Sequence, residues 1–308
     1  MNILCMLGYQ PDYQCDMLLN GLYHINGVNI FLDENKEYLF TDYKEKYGLK
    51  KVMFNVGGLI DPSKKHVLPD NEIVRRIREH WFDMIIYGSL RRKRKYVIDV
   101  IEHYQKGEVF FIDGEDDTIV TDYMLDLSDF CHCFKRELID RYSDRIYPIA
   151  FATPPEKVQT DIDQIIQKKN RLRAFIIPGE LDTYIYDREE DYNEGYRVAG
   201  FGVTHKKGGW DCNRHYEILA NGCIPYFPDI YDCPKGTLFS FPKNIIYQTN
   251  ALFDKWTQVC DYDTFNDDEF GDVYRFYLKL LMNYTAENLT TVSLAEYILS
   301  FYKPGEKS

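Results

Sequence analysis

Short, nearly continuous apolar runs alternate along this chain with longer segments of helical spacing, and this alternation constrains the fold more than any other feature. A strand covered by helices on both faces is apolar at almost every position, whereas a strand with one solvated face alternates. The pattern therefore predicts an α/β fold with parallel sheets. In the first half, the predicted strands are residues 2–8, 28–33, 53–58, 82–89, 108–114 and 147–152.

A second set of apolar runs follows a polar helix predicted over residues 156–169. Each half of the chain is long enough to bury a core of its own. We therefore predict two Rossmann-like lobes with parallel sheets, an N-terminal lobe of residues 1–155 and a C-terminal lobe of residues 156–308. In the second lobe, the predicted strands are residues 173–179, 196–204, 223–227 and 244–248, and helical spacing covers residues 270–302.

The composition argues against several classes of function. The net charge of −12 over 308 residues disfavours a protein that coats nucleic acid or an anionic membrane, because such binding needs a basic face. No apolar run approaches the roughly 18–20 residues that span a membrane, and the residues after Met1 show no secretory signal. The eight cysteines are scattered without a CxxC pair, which indicates reduced thiols and a cytoplasmic location.

Residues 206–230, KKGGWDCNRHYEILANGCIPYFPDI, combine a glycine-rich loop with the start of a helix. Glycines after a strand let a phosphate approach the backbone, and the N-terminus of the following helix offers unpaired N–H groups and positive potential. Gly208 and Gly209 occupy the predicted loop, and the helix is predicted over residues 211–220. The basic side chains around this loop are Lys206, Lys207 and Arg214.

Glu217 lies one turn inside this predicted helix and shares a face with Arg214. A carboxylate in this position is placed to accept hydrogen bonds from ribose hydroxyls. His205 and His215 lie close enough to the loop to contact a leaving group. The simpler interpretation is an ordinary strand–loop–helix crossover, with Glu217 as a solvated charge and both histidines as structural residues, and spacing alone leaves both interpretations open.

The motif RHYEILANGCIPYF (214–227) resembles the nucleotide-sugar-binding segment of the two-lobed (GT-B) glycosyltransferases. It is most similar to exostosin-like and spore-protein-like transferases and to bacterial or viral chains with GGWDC-RHYEILANGCIP. The resemblance implies two lobes with a cleft between them and a nucleoside-diphosphate sugar as the donor. It also implies that Glu217 binds the donor ribose, and that Arg214 binds the pyrophosphate together with the Gly208 and Gly209 amides.

Gly209 marks a departure from this family pattern. Many retaining relatives carry two glutamates, and Gly209 stands eight residues before Glu217, where the first would be expected. The resemblance therefore does not carry a retaining mechanism over to this chain. We predict an inverting transfer, in which one general base deprotonates the acceptor hydroxyl and positive charge stabilises the leaving nucleotide.

Carboxylates that follow predicted strands are the candidates for this base. DGEDD (113–117) follows the run VFFI, and GYQPDYQCD (8–16) follows the first predicted strand. Ligands of open α/β sheets bind at the carboxyl ends of the strands. We therefore predict Asp113 or Asp116 as the base ahead of Asp12, with like-charge crowding favouring proton uptake by Asp113. A solvated acidic turn is the alternative.

The N-terminal lobe is predicted to hold the acceptor, a glycan or another compound with a free hydroxyl. Gly8 and Tyr9 follow the first strand, and Arg91 opens the basic run RRKRK (91–95), which a helix capped by Ser89 is predicted to carry. Such a run is more often a solvated face than a site. A phosphorylated acceptor or a nucleic acid with a modified base would also explain it, although nucleic acid is not the expected partner.

Three other functions remain open. Single-lobe (GT-A) transferases hold a divalent ion on an Asp-x-Asp motif, and Glu115 and Asp117 have that alternation, with oxygen ligands that suit magnesium or manganese. The other two are a sugar-nucleotide epimerase and a non-catalytic nucleotide- or glycan-binding module. We expect no resident cofactor and no metal. MLGYQP in place of GxGxxG after the first strand argues against a classical dehydrogenase.

Overall fold

The chain folds into two compact units. Unit 1 comprises Met1–Phe151, Pro234–Phe239 and the segment from Thr291 onward, and unit 2 comprises Ala152–Cys233 and Ser240–Thr290. The sequence-based boundary at residue 155 assigned every later residue to the second lobe, whereas here the last helix groups with unit 1. This computed structural model describes residues 1–50, 53–89, 91–92, 94–139, 144–265 and 267–305, without the side chains of 267–270.

Unit 1 is built on a six-stranded sheet in which all strand pairs are parallel, in the order β2-β1-β3-β4-β5-β6. The strands are β1 (Asn2–Met6), β2 (Asn29–Leu32), β3 (Met84–Tyr87), β4 (Val109–Asp113), β5 (His132–Lys135) and β6 (Tyr147–Pro148). The helices are α1 (Tyr13–His24), α2 (Thr41–Tyr47), α3 (Asp70–Arg78), α4 (Val97–His103), α5 (Asp122–Leu127) and α11 (Thr291–Leu299).

Burial explains why the central strands of unit 1 are unbroken apolar runs in the sequence. Every residue of β3 and β4 is buried. Tyr87 and Phe111 are partners in the register of these strands, and their rings stack with centroids 4.3 Å apart. Removing such rings from water is a major favourable term in folding. The buried centre of the sheet fixes its carboxyl edge, where the loops with the predicted carboxylates begin.

Helix α11 packs on helix α1 within unit 1 at very short range. A Cβ atom on Gly21 would lie 1.8 Å from the carbonyl oxygen of Thr291, so the contact requires glycine at this position. The Thr291 hydroxyl also donates a hydrogen bond to Oδ1 of Asn20 over 2.6 Å. These contacts join the last helix to the first one.

Unit 2 is built on a three-stranded sheet, also parallel, in the order β7-β8-β9. Its small core includes Tyr196, Ile218 and Cys223. The two parallel sheets, each with helices between its strands, confirm the predicted α/β class with two Rossmann-like lobes. The elements of unit 2 are β7 (Arg171–Arg173), β8 (Ala199–Val203), β9 (Ile224–Tyr226), α6 (Ile162–Lys168), α7 (Glu189–Arg197), α8 (Asn213–Ala220), α9 (Lys243–Trp256) and α10 (Asp267–Asn288).

Four predicted strands are wrong or much shorter than expected. Of the run 147–152, only Tyr147–Pro148 forms strand β6. Residues 53–58 form turns, and residues 244–248 lie in helix α9. Of the run 173–179, only Arg173 belongs to strand β7. Helix α9 buries residues at intervals of three and four, which is the helical period. Five apolar residues alone do not distinguish this period from that of a strand.

The basic run 91–95 precedes a helix instead of lying on it. Ser89 has a φ of 52°, whereas an N-cap residue needs an extended conformation, and helix α4 begins only at Val97. Lys93 lies outside the described residues. The predicted cap at Ser89 is therefore wrong.

The eight cysteines are all free thiols in this structure. Cys131 and Cys133 are buried on either side of His132, which is only partly covered. None of the helices that the structure describes has the length and apolar character needed to cross a membrane.

Candidate functional site

Helix α8 begins directly after the glycine-containing loop of residues 204–212, which follows strand β8. The helix starts at Asn213, two residues later than predicted. Its N-cap residue, Cys212, makes no side-chain capping hydrogen bond. The positive end of the helix dipole is therefore not offset by a side-chain acceptor at the N-cap. Gly222 ends the helix in the left-handed conformation, with a φ of 64°, as the Asn-Gly pair predicted.

Arg214, in the first turn of α8, is a buried cation. Its side chain is only 7% exposed. Nη2 donates a hydrogen bond to the Tyr184 hydroxyl over 2.8 Å, and the guanidinium lies 5.6 Å from the centre of the Tyr184 ring. Among the described residues, neither Nε nor Nη1 of Arg214 has a hydrogen-bond partner. Two donors of a buried charge thus have no acceptor in the part of the chain that the structure describes.

Glu217, one turn further along α8, is half-buried and fixed at both carboxylate oxygens. Oε1 accepts a hydrogen bond from Nδ2 of Asn213 over 2.6 Å, and Oε2 accepts one from the Tyr192 hydroxyl over 2.5 Å. Burial raises the pKa of the Glu217 carboxyl, while the Tyr192 hydrogen bond and the charge of Arg214 oppose that shift. Glu217 is therefore an ordered carboxylate beside the buried cation, and the interpretation as a freely solvated charge is wrong.

His215 is fully buried, and both of its ring nitrogens form hydrogen bonds within unit 2. Nδ1 lies 2.9 Å from the Thr204 hydroxyl, and Nε2 lies 2.9 Å from the carbonyl oxygen of Trp210. These bonds anchor the loop to the helix. His215 was predicted as a donor-binding residue, but the structure places it beneath the loop, as the structural alternative described.

The loop itself exposes three of the predicted donor-binding residues. Lys206, Lys207 and Gly208 are exposed and Gly209 is buried. The amide of Lys207 donates to the carbonyl oxygen of Gly209 over 3.0 Å, which closes a tight turn. Lys206 Nζ lies 5.2 Å from the centre of the Trp210 ring. Two exposed positive charges thus lie on the same loop that leads to Arg214.

Asp113, the preferred sequence-based candidate for the base, lies at the end of β4 and is only 2% exposed. Its Oδ2 is 3.1 Å from Nζ of the fully buried Lys135 and 3.2 Å from Nη2 of Arg91. Like-charge crowding was expected around Asp113, but its nearest charged partners are cations. The geometry is that of a buried ion pair. Glu115 and Asp116 pair with other arginines, whereas Asp117 shares Arg91 with Asp113.

The remaining carboxylates of DGEDD each pair with an arginine. Asp117 binds Arg91 through two contacts of 2.7 Å, and these hydrogen bonds lower the pKa of Asp117 to about 2. Glu115 accepts a hydrogen bond from Arg92 over 2.7 Å. The two candidate metal ligands of the GT-A alternative are therefore already neutralised. No cluster of three or more His, Cys, Asp or Glu side chains suited to a metal ion occurs among the described residues.

Asp12 and Asp116, far apart in sequence, meet at one pocket of unit 1 with a volume of about 260 Å³. Asp116 is exposed and forms an ion pair with the buried Arg136. Asp12 caps helix α1 by accepting a hydrogen bond from the amide of Cys15 over 3.2 Å. The pocket is lined by Pro11, Asp12, Tyr13, Gln14, Arg92, Gly114, Glu115, Asp116, Arg136 and Phe151.

Gly8 and Tyr9 leave strand β1 on the way to this pocket, but they do not line it. Gly8 has a φ of 75°, which favours glycine, and Tyr9 is exposed over 63% of its surface. Arg91 is tied to Asp113 and Asp117 and does not line the pocket either. Of the acceptor-side candidates, Tyr9 alone presents a large free side chain.

Sequence reasoning missed four residues that shape these sites. Tyr184 and Tyr192 contact Arg214 and Glu217, and Gln14 and Arg136 line the pocket. Arg136 directly follows strand β5, and a basic residue at a strand exit is the signal that identifies it. The tyrosines lie in an acidic, tyrosine-rich segment with no distinctive spacing, so the sequence offers no comparable signal.

No protein-family model and no curated protein matches the sequence. Two similar solved structures are an α-glucosyltransferase in complex with UDP and a 13-mer DNA containing an HMU base, and HepE from Anabaena in complex with UDP and glucose. The first is 11% identical, with a TM-score of 0.47 over 98% of this chain and 99% of that chain. The second is 8% identical, with a TM-score of 0.48 over 97% and 98%. Similarity of fold at this level does not identify a substrate.

Proposed function

We propose that this chain is a glycosyltransferase that moves a sugar from a nucleoside-diphosphate sugar to a hydroxyl acceptor, with the donor bound by unit 2. The observation that carries the proposal is the buried guanidinium of Arg214, with Nε and Nη1 lacking partners among the described residues. Buried donors of a charged group that have no acceptor are costly. A diphosphate supplies negatively charged acceptor oxygens for these two donors of Arg214.

The other residues of the segment complete the donor site in this proposal. The amides of Gly208 and Gly209 and the start of α8 bind phosphate oxygens, and Lys206 and Lys207 add positive charge from the exposed loop. Glu217 accepts hydrogen bonds from ribose hydroxyls. The resemblance of residues 214–227 to the exostosin-like and spore-protein-like segment supports these roles.

The general base is proposed to be Asp12 or Asp116 of the unit 1 pocket, ahead of the buried Asp113. The carboxylate of Asp12 accepts a hydrogen bond from a backbone amide, whereas Asp113 is held by two cations. The base takes the proton of the acceptor hydroxyl, whose oxygen attacks the anomeric carbon. The bond from that carbon to the diphosphate breaks, and its electron pair leaves with the nucleotide, whose charge Arg214 stabilises.

This mechanism inverts the anomeric centre, and it needs no metal because the protein supplies positive charge to the leaving group. The acceptor is proposed to be a glycan, since the pocket combines carboxylates and arginines with the rings of Tyr13 and Phe151. The donor is a substrate, and no resident cofactor is part of the proposal. The free thiols support a cytoplasmic site of action.

Calorimetry with UDP, GDP and uridine tests the donor site. We expect a diphosphate to bind the wild type and to bind Arg214→Met about 10–100-fold more weakly, because hydrogen bonds to a charged group contribute about 1.5–3 kcal/mol. Uridine lacks the phosphates, so its affinity should be the same for both proteins. Arg188→Met is the matched control, because it removes an exposed charge of unit 2. Equal diphosphate affinity in Arg214→Met and wild type would show that Arg214 is not the anion site.

Release of nucleoside diphosphate from UDP-glucose in the presence of glycan acceptors tests the chemistry. Asp12→Asn should lower kcat by about 10²–10⁴-fold if Asp12 is the base, with UDP affinity unchanged. Asp116→Asn, made in parallel, identifies the alternative base. Conversion of UDP-glucose without an acceptor would indicate an epimerase, and binding without release under any acceptor would indicate a non-catalytic module.

A further inference from the structure

The carboxylate of Glu217 is held from two sides by groups that the sequence did not single out. Tyr192 of helix α7 donates to Oε2 over 2.5 Å, and Asn213 of helix α8 donates to Oε1 over 2.6 Å. A carboxylate bonded at both oxygens does not turn freely about its terminal bond. The plane and direction of its remaining lone pairs are therefore fixed by the protein before a ligand binds.

An ionised carboxylate has about four lone-pair positions, two on each oxygen. One hydrogen bond to each oxygen leaves one acceptor position on each, side by side. Such a pair matches two hydroxyls on neighbouring carbons, whereas a single hydroxyl uses only half of it. Glu217 remains partly exposed, so these positions are within reach of a ligand.

We propose that Tyr192 is a positioning residue that, together with Asn213, orients Glu217 to bind a ribose cis-diol through both oxygens, so that the site selects ribonucleotides over 2′-deoxyribonucleotides. This inference rests on the proposed function, since the diol is that of the donor nucleoside. Tyr192 acts through Glu217 and does not itself contact the ribose.

The charges around Glu217 support this role. Burial raises the pKa of the Glu217 carboxyl, and the Tyr192 hydrogen bond is the leading effect that lowers it again. Arg214 on α8 and Lys157 also lower the pKa of this carboxyl, whereas Glu189 on α7 raises it. The ionised form is the one that accepts two hydroxyl hydrogen bonds. Removal of the Tyr192 hydroxyl should therefore move the pKa of Glu217 upward and disorder its carboxylate.

The test compares UDP with 2′-deoxyUDP by calorimetry near neutral pH. We expect the wild type to prefer UDP by roughly tenfold, the value of one hydrogen bond to a charged group. Tyr192→Phe should reduce this preference to about threefold or less. Tyr186→Phe is the matched control, because the Tyr186 ring packs edge-on against Tyr192 at 6.4 Å between centroids but does not hydrogen-bond to Glu217. Its preference should equal that of the wild type.

A pH series provides a readout that a purely structural role would not change. UDP should bind with its highest affinity above the pKa of Glu217, and the affinity should fall as the pH drops through that pKa. The protonated carboxyl has one acceptor position fewer for the ribose hydroxyls. This midpoint should lie higher in Tyr192→Phe than in wild type and Tyr186→Phe. In a Glu217→Ala background, which lacks the titrating carboxyl, Tyr192→Phe should not change the nucleotide preference.

The outcomes separate this inference from the proposed function. If the wild type binds UDP but Tyr192→Phe keeps both the preference and the midpoint, Tyr192 is not a positioning residue and the donor site stands. If Tyr192→Phe weakens UDP and 2′-deoxyUDP equally, the hydroxyl only supports the fold, and the inference is again wrong. Failure of the wild type to bind any nucleoside diphosphate overturns both proposals.

Discussion

At the scale of single residues, buried ion pairs in unit 1 support the loops around the pocket. Asp113 pairs with Lys135 as described above, and Asp16 pairs with the buried Lys36 over 2.7 Å while also accepting a hydrogen bond from Tyr38 over 2.8 Å. Burial raises the pKa of Asp16, and Lys36 opposes that shift. Asp113 ends strand β4 and Asp16 lies in the first turn of helix α1, yet each carboxylate is paired with a buried lysine. Their position therefore indicates support for the pocket and not direct chemistry.

Asp113→Asn tests this support. The change leaves the fully buried ammonium of Lys135 without its nearest counter-charge, and breaking a buried pair in this way costs about 3–5 kcal/mol. We expect that loss in the free energy of unfolding measured with denaturant. Asp117→Asn is the control, because Asp117 is half-exposed and should cost about 1 kcal/mol or less. An Asp113→Asn protein of unchanged stability but greatly reduced kcat would return Asp113 to the list of candidate bases.

What the sequence predicts at this scale is local. The common face of Arg214 and Glu217 follows from their spacing on a helix, and the structure places both beside Tyr184 and Tyr192. The buried side chain of Arg214 is held by Tyr184, which is 30 positions away in sequence. No local pattern contains that information. The charges around Asp113 were mispredicted for the same reason. The two cations that pair with Asp113 are Lys135 on strand β5 and Arg91 in the loop after strand β3, and both are distant from it in sequence.

At the scale of secondary structure elements, the prediction was correct where the sequence pattern is long enough to define its period, and it failed where the pattern is short. Strands β1, β2, β3 and β4 all lie within predicted apolar runs. The short run 244–248 was misassigned because the burial pattern that makes α9 a helix extends to Trp256. In α10, Leu278 and Leu281 are buried as their spacing predicted, but Phe276 is exposed. Spacing identifies a face, whereas the neighbouring element decides how much of it is covered.

The close contact between helices α1 and α11 leads to a prediction about the stability of the protein. Gly21→Ala places a methyl group 1.8 Å from the Thr291 carbonyl, so the helices must separate, and we expect a loss of about 3 kcal/mol in stability and a lower Tm. Ala295→Gly in the same chain should not restore the loss. The Ala295 Cβ is 3.1 Å from the new methyl, and the nearer obstacle is backbone. If Ala295→Gly restored the stability of Gly21→Ala, the space between α1 and α11 would have to be larger than the structure shows.

At the scale of the whole molecule, the division into units is discontinuous in sequence. Length and the two sets of strands predicted two lobes, and the structure has two parallel sheets. The sequence did not predict that Pro234–Phe239 and the residues from Thr291 onward group with unit 1. The apolar face of α11 shows that the helix is buried, but it contains no information about which lobe buries it.

Acid stability of the molecule should depend on His132. Burial, together with the charges of Lys106 and Lys303, lowers the pKa of His132 to about 4. The unfolded chain, with a histidine pKa of about 6.5, binds this proton first. The free energy of unfolding should therefore fall as the pH drops from about 6.5 to 4, by about 1–2 kcal/mol after allowance for partial exposure.

His132→Phe should flatten this dependence, because phenylalanine fits among the rings of Phe110, Tyr147 and Phe301 and does not titrate. Denaturant unfolding at a series of pH values measures the difference between the two proteins. His103→Phe is a control for the loss of a histidine elsewhere in unit 1. Parallel pH curves for wild type and His132→Phe would show that the proton is taken up equally in both states.

The first and last of the four points where the chain passes from one unit to the other, near residues 152 and 290, lie side by side. Thr153 and Thr290 form a parallel bridge there, and the amide of Thr153 donates to the carbonyl oxygen of Leu289 over 2.9 Å. The first and last residues of unit 2 are thus adjacent, as in a domain inserted into another. Domain insertion is tolerated best when the two ends of the inserted domain lie close together. Exchange of unit 2 between related chains by two crossovers, near residues 152 and 290, would carry Pro234–Phe239 of unit 1 with it. Truncation from the C-terminus would remove residues of unit 1 before it reached unit 2.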